Sequence, residues 1–433
     1  MKRRVCVVGA GPGGLCVARR LAEQFGTQIE LTIFEQCDQI GGIWLYTDDD
    51  RPDVHSSMYA GLRVNIPKEI MCFDNFPIEK ADFPLAQNAE DSFPSSEVIF
   101  NYLQRFAKPI RHFVQLEKRI SLIDYDKSAN PSCWRVEIED LKKDQKMFVR
   151  HFDAIFICSG HHWRGFLPEF VPKLRLKWVH SHCYRRAENY KGMKVAVVGG
   201  QLSGAEIALQ LVDYAEKVYL CSSNKMSEIE NLCPNLEVFG RVIDAEENGL
   251  ILEGGKVISQ IDLVIFCTGY RFSFPFFEKS ENFSISWDPF VSPLFGHVVH
   301  PEYVNSLFFI GLNNYNLPFY SIEVQTRFSI ALLVDKILNV QQIISLEHVK
   351  HYEKRRIQEL KKNGEKLGKF HFLRLKQWAY FNWLDSLSGH SPAPPILAKV
   401  YQYNVERRLE NQFTYRKLRY RLIDHEEFEV TYD

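Results

Sequence analysis

Several things are nearly absent from this sequence. Net charge is one: the 433 residues sum to −1 at neutral pH. No long-range field therefore selects polyanions, the basic run KLRYR at 417–421 reads as a local solvated patch, and nucleic acid is not an expected partner. A membrane span is also missing, because no stretch of about 18 consecutive apolar residues occurs. The ten cysteines show neither metal-ligand spacing nor a CxxC pair, which fits reduced thiols in a cytosolic compartment. Strand-like residues begin at Arg4, leaving no room for a signal peptide ahead of them. The expected protein is cytoplasmic, either free or peripherally attached.

What is present is ordinary for a globular enzyme, with 45% hydrophobic and 25% charged residues and enough length for more than one domain. RVCVVGAGPGGLCVARRLAEQFG opens the chain as an apolar run, a Gly-rich turn and a segment of helical period, and IELTIFE follows as a second strand ending in Glu35. That order is a βαβ opening. It recurs as KVAVVGGQLSGAEIALQLVDYA followed by KVYLCSS. A shorter repeat accompanies it: DAIFICSG at 153–160 and DLVIFCTG at 262–269 share Asp, four apolar residues, Cys, Ser or Thr, and Gly. Uninterrupted apolar runs of this kind suit parallel strands buried on both faces. The predicted fold is α/β with two Rossmann-like dinucleotide-binding domains, the second inserted in the first: 1–160 with 270–433, and 161–269. The first fold carries a long insertion, about residues 40–150, where function tends to sit.

The first turn, Gly9 to Gly14 with Pro12 and Gly13 inside it, is a GxGxxG flanked by strand and helix, with an acid about 20 residues on. Gly9 permits the tight turn, Gly11 lets the backbone approach a pyrophosphate, and Gly14 lets helix pack on strand. Glu35 would accept from ribose hydroxyls and repel a 2′-phosphate, so this site is expected to hold FAD or NAD. The second turn, GGQLSG at 199–204, keeps Gly199, Ser203 and Gly204 but has Gln201 in the middle position. A side chain there is expected to crowd the pyrophosphate, weakening binding or displacing the loop. No acid ends the following strand; SSNK at 222–225 offers hydroxyls and the Lys225 cation to the 2′-phosphate of NADPH. Two sites of different preference suggest hydride transfer from NADPH to a flavin. Without a redox cysteine pair, oxygen becomes the expected electron acceptor. His161, His162 and His180 lack the carboxylate or thiolate company of a metal set, so no metal is expected.

With these motifs in place, QIGGIW at 39–44, GLRVNIPKEIMCFDNFPI at 61–78 and CTGY at 267–270 resemble the class B flavin-containing monooxygenases. FIGL at 309–312, EVQTR at 323–327 and QFTYR at 412–416 extend the likeness nearly end to end, toward a soluble, insect-like member. The resemblance implies FAD and NADPH as cofactors, with a flavin hydroperoxide at carbon 4a kept alive by bound NADP+. One of its oxygen atoms would pass to the soft nitrogen or sulfur of a small lipophilic amine, alkaloid or sulfide. Asn65 matches the asparagine beside the flavin, where an uncharged amide donates to a developing oxyanion without supplying a proton. Ile43 and Trp44 match positions lining FAD, and Gln325 matches a glutamine facing the flavin ring; a surface helix glutamine is the competing account.

The family's FxGxxxHxxxY/F segment reads LRLKWVHSHCY at 174–184, keeping His180 and Tyr184 but with Leu174 and Leu176 in place of Phe and Gly. Its position suggests a hinge between domains. Two further readings stay open: a Baeyer–Villiger or N-hydroxylating monooxygenase, and an FAD-binding paralogue with impaired NADPH turnover. The sequence does not specify an oligomeric state, and a homo-oligomer is compatible with it.

Overall fold

Each nucleotide fold is closed by the same small device, which accounts for the shorter repeat. The computed structural model describes residues 2–142, 146–223, 233–337, 339–412 and 414–432. In the first fold the strand Arg3–Val8 pairs in parallel with Ile29–Phe34 on one side and Ala154–Ile157 on the other. In the second, Lys194–Val198 pairs in parallel with Lys217–Cys221 and Leu263–Phe266. The repeated aspartates pin the register: the Asp153 carboxylate accepts from the Arg4 amide at 2.8 Å, and the Asp262 carboxylate accepts from the Lys194 amide at 2.7 Å. At the other end of each closing strand the cysteine carbonyl lies under the turn glycine. A Cβ on Gly9 would stand 2.7 Å from the Cys158 oxygen, and one on Gly199 would stand 2.3 Å from the Cys267 oxygen.

The chain divides into two compact units, residues 1–45, 63–161 and 272–433 in one and 46–62 with 162–271 in the other. The larger carries a five-stranded parallel sheet in the order Leu307–Phe309, Ala154–Ile157, Arg3–Val8, Ile29–Phe34, Val114–Gln115. Its central strands are buried on both faces, as their unbroken apolar runs predict. The expected insertion contains the helix Ser96–Ala107 and a three-stranded antiparallel meander, Lys118–Asp126, Cys133–Asp140 and Lys146–Phe152. Chain after 272 adds the helix Pro318–Leu333, whose neighbours are the helices Pro12–Phe25 and Gln377–Ser388.

The smaller unit has the sheet order Leu236–Phe239, Lys217–Cys221, Lys194–Val198, Leu263–Phe266, Lys177–His180, again all parallel. It too has an antiparallel meander just before its closing strand, Val242–Glu246, Gly249–Leu252 and Val257–Ile258. The sequence reading left residues 46–62 in the first fold, whereas they pack with the second. The reason is Arg185. Its side chain is 2% exposed, and it donates to the carbonyls of Asp49 (2.8 Å), Ser56 (2.9 Å), Met58 (3.4 Å) and His182 (2.6 Å). Ala60 donates back to the Arg185 carbonyl at 2.8 Å. Among the described residues, no helix is long and apolar enough to cross a membrane.

Candidate active site

In the first unit the turn is fixed by contacts that leave no room for side chains. A Cβ on Gly14 would stand 1.9 Å from the Gly9 oxygen, so Gly14 is obligatory for helix to lie on strand. The helix Pro12–Phe25 begins with Pro at its first turn, where a missing N–H costs nothing, and its first hydrogen bond runs from the Leu15 amide to the Gly11 carbonyl at 3.0 Å. Gly42, at φ +57, faces Gly11 so closely that a Cβ on it would meet the Gly11 Cα at 2.7 Å. The second glycine of QIGGIW is thus explained: one glycine backbone rests on another. Ile43 and Trp44 follow in the short 3-10 turn Gly42–Trp44, with Trp44 partly buried against the core.

Glu35 is buried and accepts from the amides of Ala10 (2.7 Å) and Cys37 (2.9 Å), so its carboxylate is locked at the turn with lone pairs left over for a ribose. Beside Gly9 lies Ser159, whose hydroxyl is buried and has no partner among the described residues. A bare glycine cradle at a helix N-terminus, an anchored acid and an orphaned hydroxyl fit a dinucleotide with its pyrophosphate on the helix end.

Asn65 sits on a segment held from the C-terminal region. Its carbonyl accepts from Asn404, a fully buried residue of the helix Pro395–Glu410, at 3.0 Å. Arg416, from the QFTYR segment, donates to the carbonyls of Val64 at 3.1 Å and Arg63 at 3.3 Å. The Asn65 side-chain amide itself has no hydrogen-bond partner among the described residues.

The EVQTR segment is buried from Glu323 to Thr326, and three of its four polar side chains each tie a different element. Glu323 pairs with Arg20 at 2.5 Å, and Arg327 grips Asp385 through two bonds of 3.0 Å. Gln325 is 0% exposed, which removes the surface-helix account. Its oxygen accepts from the Gly311 amide at 2.8 Å, and its amino group donates to Asn313 and, at 2.9 Å, to the Tyr380 hydroxyl. All its polar atoms are engaged within the protein, so any influence on a flavin runs through Gly311 and Asn313.

In the second unit Gly199 and Gly204 repeat the arrangement of Gly9 and Gly14: a Cβ on Gly204 would stand 1.7 Å from the Gly199 oxygen. Gln201 does not displace the loop. Its φ of −81° and ψ of −170° match the −77° and −174° of Gly11, extended values open to any residue. Its carbonyl receives the first helical bond, from Ala205 at 3.0 Å, as Gly11 receives that from Leu15. Ser203 is exposed on the first turn of the helix Leu202–Leu211. Lys225 lies outside the described residues.

His180 is a strut. Its Nδ1 accepts from the His182 amide at 3.1 Å and its Nε2 donates to the Gly269 carbonyl at 3.0 Å, which ties the LRLKWVHSHCY segment to CTGY. Burial holds the ring neutral, with its pKa down to about 4. Gly165 is bare because a Cβ there would meet that ring at 2.6 Å. His161, in the first unit, pairs with Asn314 at 3.1 Å.

A family description, flavin-binding monooxygenase-like, matches residues 2–231 and 225–424. The chain belongs to the flavin-binding monooxygenase family. Among curated relatives, this monooxygenase is 30% identical over 412 residues to Flavin-containing monooxygenase FMO GS-OX5 of Arabidopsis thaliana, covering 90% of this chain and 85% of that one. Among solved structures it is similar to S-allyl-L-cysteine S-oxygenase from Allium sativum, with TM-score 0.84, 26% identity and coverage of 96% and 95%. Tmm from Pelagibacter sp. strain HTCC7211 matches at TM-score 0.76 and 22% identity over 96% of this chain and 93% of that one, which bears on the fold alone. The monooxygenase is accordingly an oxidoreductase of the FAD- and NADPH-dependent kind, with the two Rossmann-type domains expected of it.

Sequence reasoning missed the residues that act through backbone carbonyls. Arg416 was legible only as part of a matching segment and Gly42 only as the second glycine of a pair, while Asn404 carried no signal. Asp153 and Asp262 were visible in the repeat, though nothing in it said that they cap the neighbouring strand.

Proposed function

We propose that the monooxygenase uses NADPH and dioxygen to oxygenate sulfur or nitrogen in small lipophilic substrates, with sulfides first and tertiary amines or alkaloids second. The observation that carries this is Asn65. Its carbonyl is held by Asn404 and the carbonyls of the two residues before it by Arg416, while its side-chain amide has no partner among the described residues. A neutral donor on a fixed backbone is pre-organised for a ligand. The Gly9–Gly14 turn, with Glu35 toward the ribose, would hold FAD, which would accept hydride from NADPH and, once reduced, react with oxygen at its carbon 4a. Gly11, Pro12 and Gly13 would take its pyrophosphate, Ile43 and Trp44 would line it, and Gln325 would act on it through Gly311 and Asn313. NADPH is assigned to Gly199, Ser203 and Gly204, with Lys225 toward its 2′-phosphate.

An amide at position 65 can donate to an oxygen that gains negative charge without delivering a proton, so it favours oxygen transfer over loss of peroxide. Sulfides take precedence because the Allium protein is named for S-oxygenation of S-allyl-L-cysteine. The backbone match of Gln201 to Gly11 gives no support to impaired NADPH turnover.

The test is aerobic NADPH oxidation by the purified yellow protein with a thioether, trimethylamine or cyclohexanone, with product and hydrogen peroxide quantified. A sulfoxide or N-oxide formed in step with NADPH is expected. Asn65→Ala should keep flavin reduction while diverting most turnover to peroxide. FAD that NADPH does not reduce, or a lactone as the main product, would overturn the reading.

A further inference from the structure

Within the larger unit, a cavity of about 640 Å³ opens between the helices Leu346–Lys362 and Gln377–Ser388. That volume suits a small organic ligand. Its lining contains none of the residues assigned above to FAD or NADPH, nor Asn65, and Tyr380 of that lining receives the Gln325 amide. Phe295, Phe370, Phe372 and Trp383 make the walls largely aromatic.

A chain of buried hydrogen bonds decides what the cavity offers. The Val291 amide donates to His371 Nε2 at 3.0 Å, so the His371 proton is on Nδ1. That proton points at His297 Nδ1, 2.9 Å away, which must therefore accept. His297 is left with its proton on Nε2, and it donates to the Tyr352 oxygen at 3.0 Å. Burial keeps both rings neutral, pushing His297 down to about 3 and His371 well below its usual value. The Tyr352 hydroxyl proton is then the one left over, and among the described residues it meets no acceptor. His297 holds this geometry from a left-handed backbone, φ +60, next to Gly296 at φ +57. A non-glycine residue in that region is maintained by its surroundings at a cost, a feature that clusters at ligand sites.

One turn along the same helix, Arg355 also lines the cavity, is exposed, and has no carboxylate partner among the described residues. Residues three apart on a helix share a face. The other cations on the lining, Arg356 and Lys376, share the single carboxylate of Glu359, so positive charge is in excess. Two convergent donors, excess positive charge and an aromatic body form a site for an acid with an apolar tail.

We propose that this cavity binds a small amphipathic carboxylate, its head group held by the Tyr352 hydroxyl and the Arg355 guanidinium and its apolar body against Phe295, Phe370, Phe372 and Trp383. Binding is measured calorimetrically on the FAD-loaded protein with decanoate, decanol and decyltrimethylammonium. One decanoate per chain is expected, with decanol weaker by about tenfold or more and the cation not binding. Tyr352→Phe should weaken decanoate about tenfold, and Arg355→Glu should abolish its binding. Ala379→Trp, which fills the cavity, should abolish all binding. Because Arg355 is exposed, its variant folds even if the filled cavity does not. Absence of saturable binding, decanol binding as tightly as decanoate, or binding unchanged in both Tyr352→Phe and Arg355→Glu would overturn the assignment.

Discussion

Gln201→Glu tests where the NADPH pyrophosphate lies. The change keeps size and shape and adds one negative charge at the N-cap of the helix Leu202–Leu211, where the backbone is extended and requires no rearrangement. For the fold this is favourable, since an acid at a helix N-terminus gains about 0.3–1 kcal/mol from the helix dipole. For a pyrophosphate seated on the same helix end it is unfavourable. A unit charge about 6 Å from a phosphate, at an effective dielectric of about 20, costs about 3 kcal/mol. The side chain is exposed, and solvent and salt reduce that to about 1.5 kcal/mol, about tenfold in affinity. The expected result is therefore two effects of opposite sign: NADPH binding about tenfold weaker, and an unfolding midpoint unchanged or raised. Anaerobic flavin reduction at graded NADPH concentrations gives the first, and thermal unfolding gives the second. NADPH binding equal to that of the unaltered protein would refute the seat on this helix, and a loss of stability would refute the electrostatic origin of any weakening.

The glycine cradles predict a clean separation of the two cofactors: Gly14→Ala should yield protein without bound FAD, while Gly204→Ala should stay yellow and lose reduction by NADPH, both read from absorbance spectra. Arg327→Met leaves the buried Asp385 carboxylate unpaired and should cost about 3–5 kcal/mol, much of it recovered in Arg327→Met with Asp385→Leu, as measured by denaturant unfolding. For His180, a base whose pKa falls from 6.5 to about 4 on folding, the unfolded state binds the extra proton. Its stabilising contribution is thus complete above pH 6.5 and is lost as pH falls toward about 4. His180→Gln keeps one donor and one acceptor and should flatten that acid limb of stability against pH.

The fold was legible because its strands are apolar without interruption and its turns need glycine for reasons of space. The contacts at Gly9, Gly14, Gly199 and Gly204 are each closer than any side chain permits, so the motif is a record of geometry. Gln201 was read as an obstacle because the middle glycine serves closeness to a ligand; the backbone at that position accepts any residue. Gln325 could not be seen as buried, since EVQTR is rich in charged and polar side chains whose partners, Arg20, Gly311, Asn313, Tyr380 and Asp385, are scattered over the chain. Long-range polar pairing of this kind leaves no periodicity. The cavity at Tyr352 was invisible for the same reason, because it is assembled from three separated segments.

The smaller unit is not a continuous piece of chain. Residues 46–62 supply the carbonyls that Arg185 grips, more than a hundred positions before it. Excising 162–271, or grafting a relative's version of that span, would strand a buried guanidinium among missing acceptors. Anyone exchanging the second nucleotide unit to alter cofactor preference has to move two stretches of sequence together, and the earlier, shorter one decides whether the transplant folds.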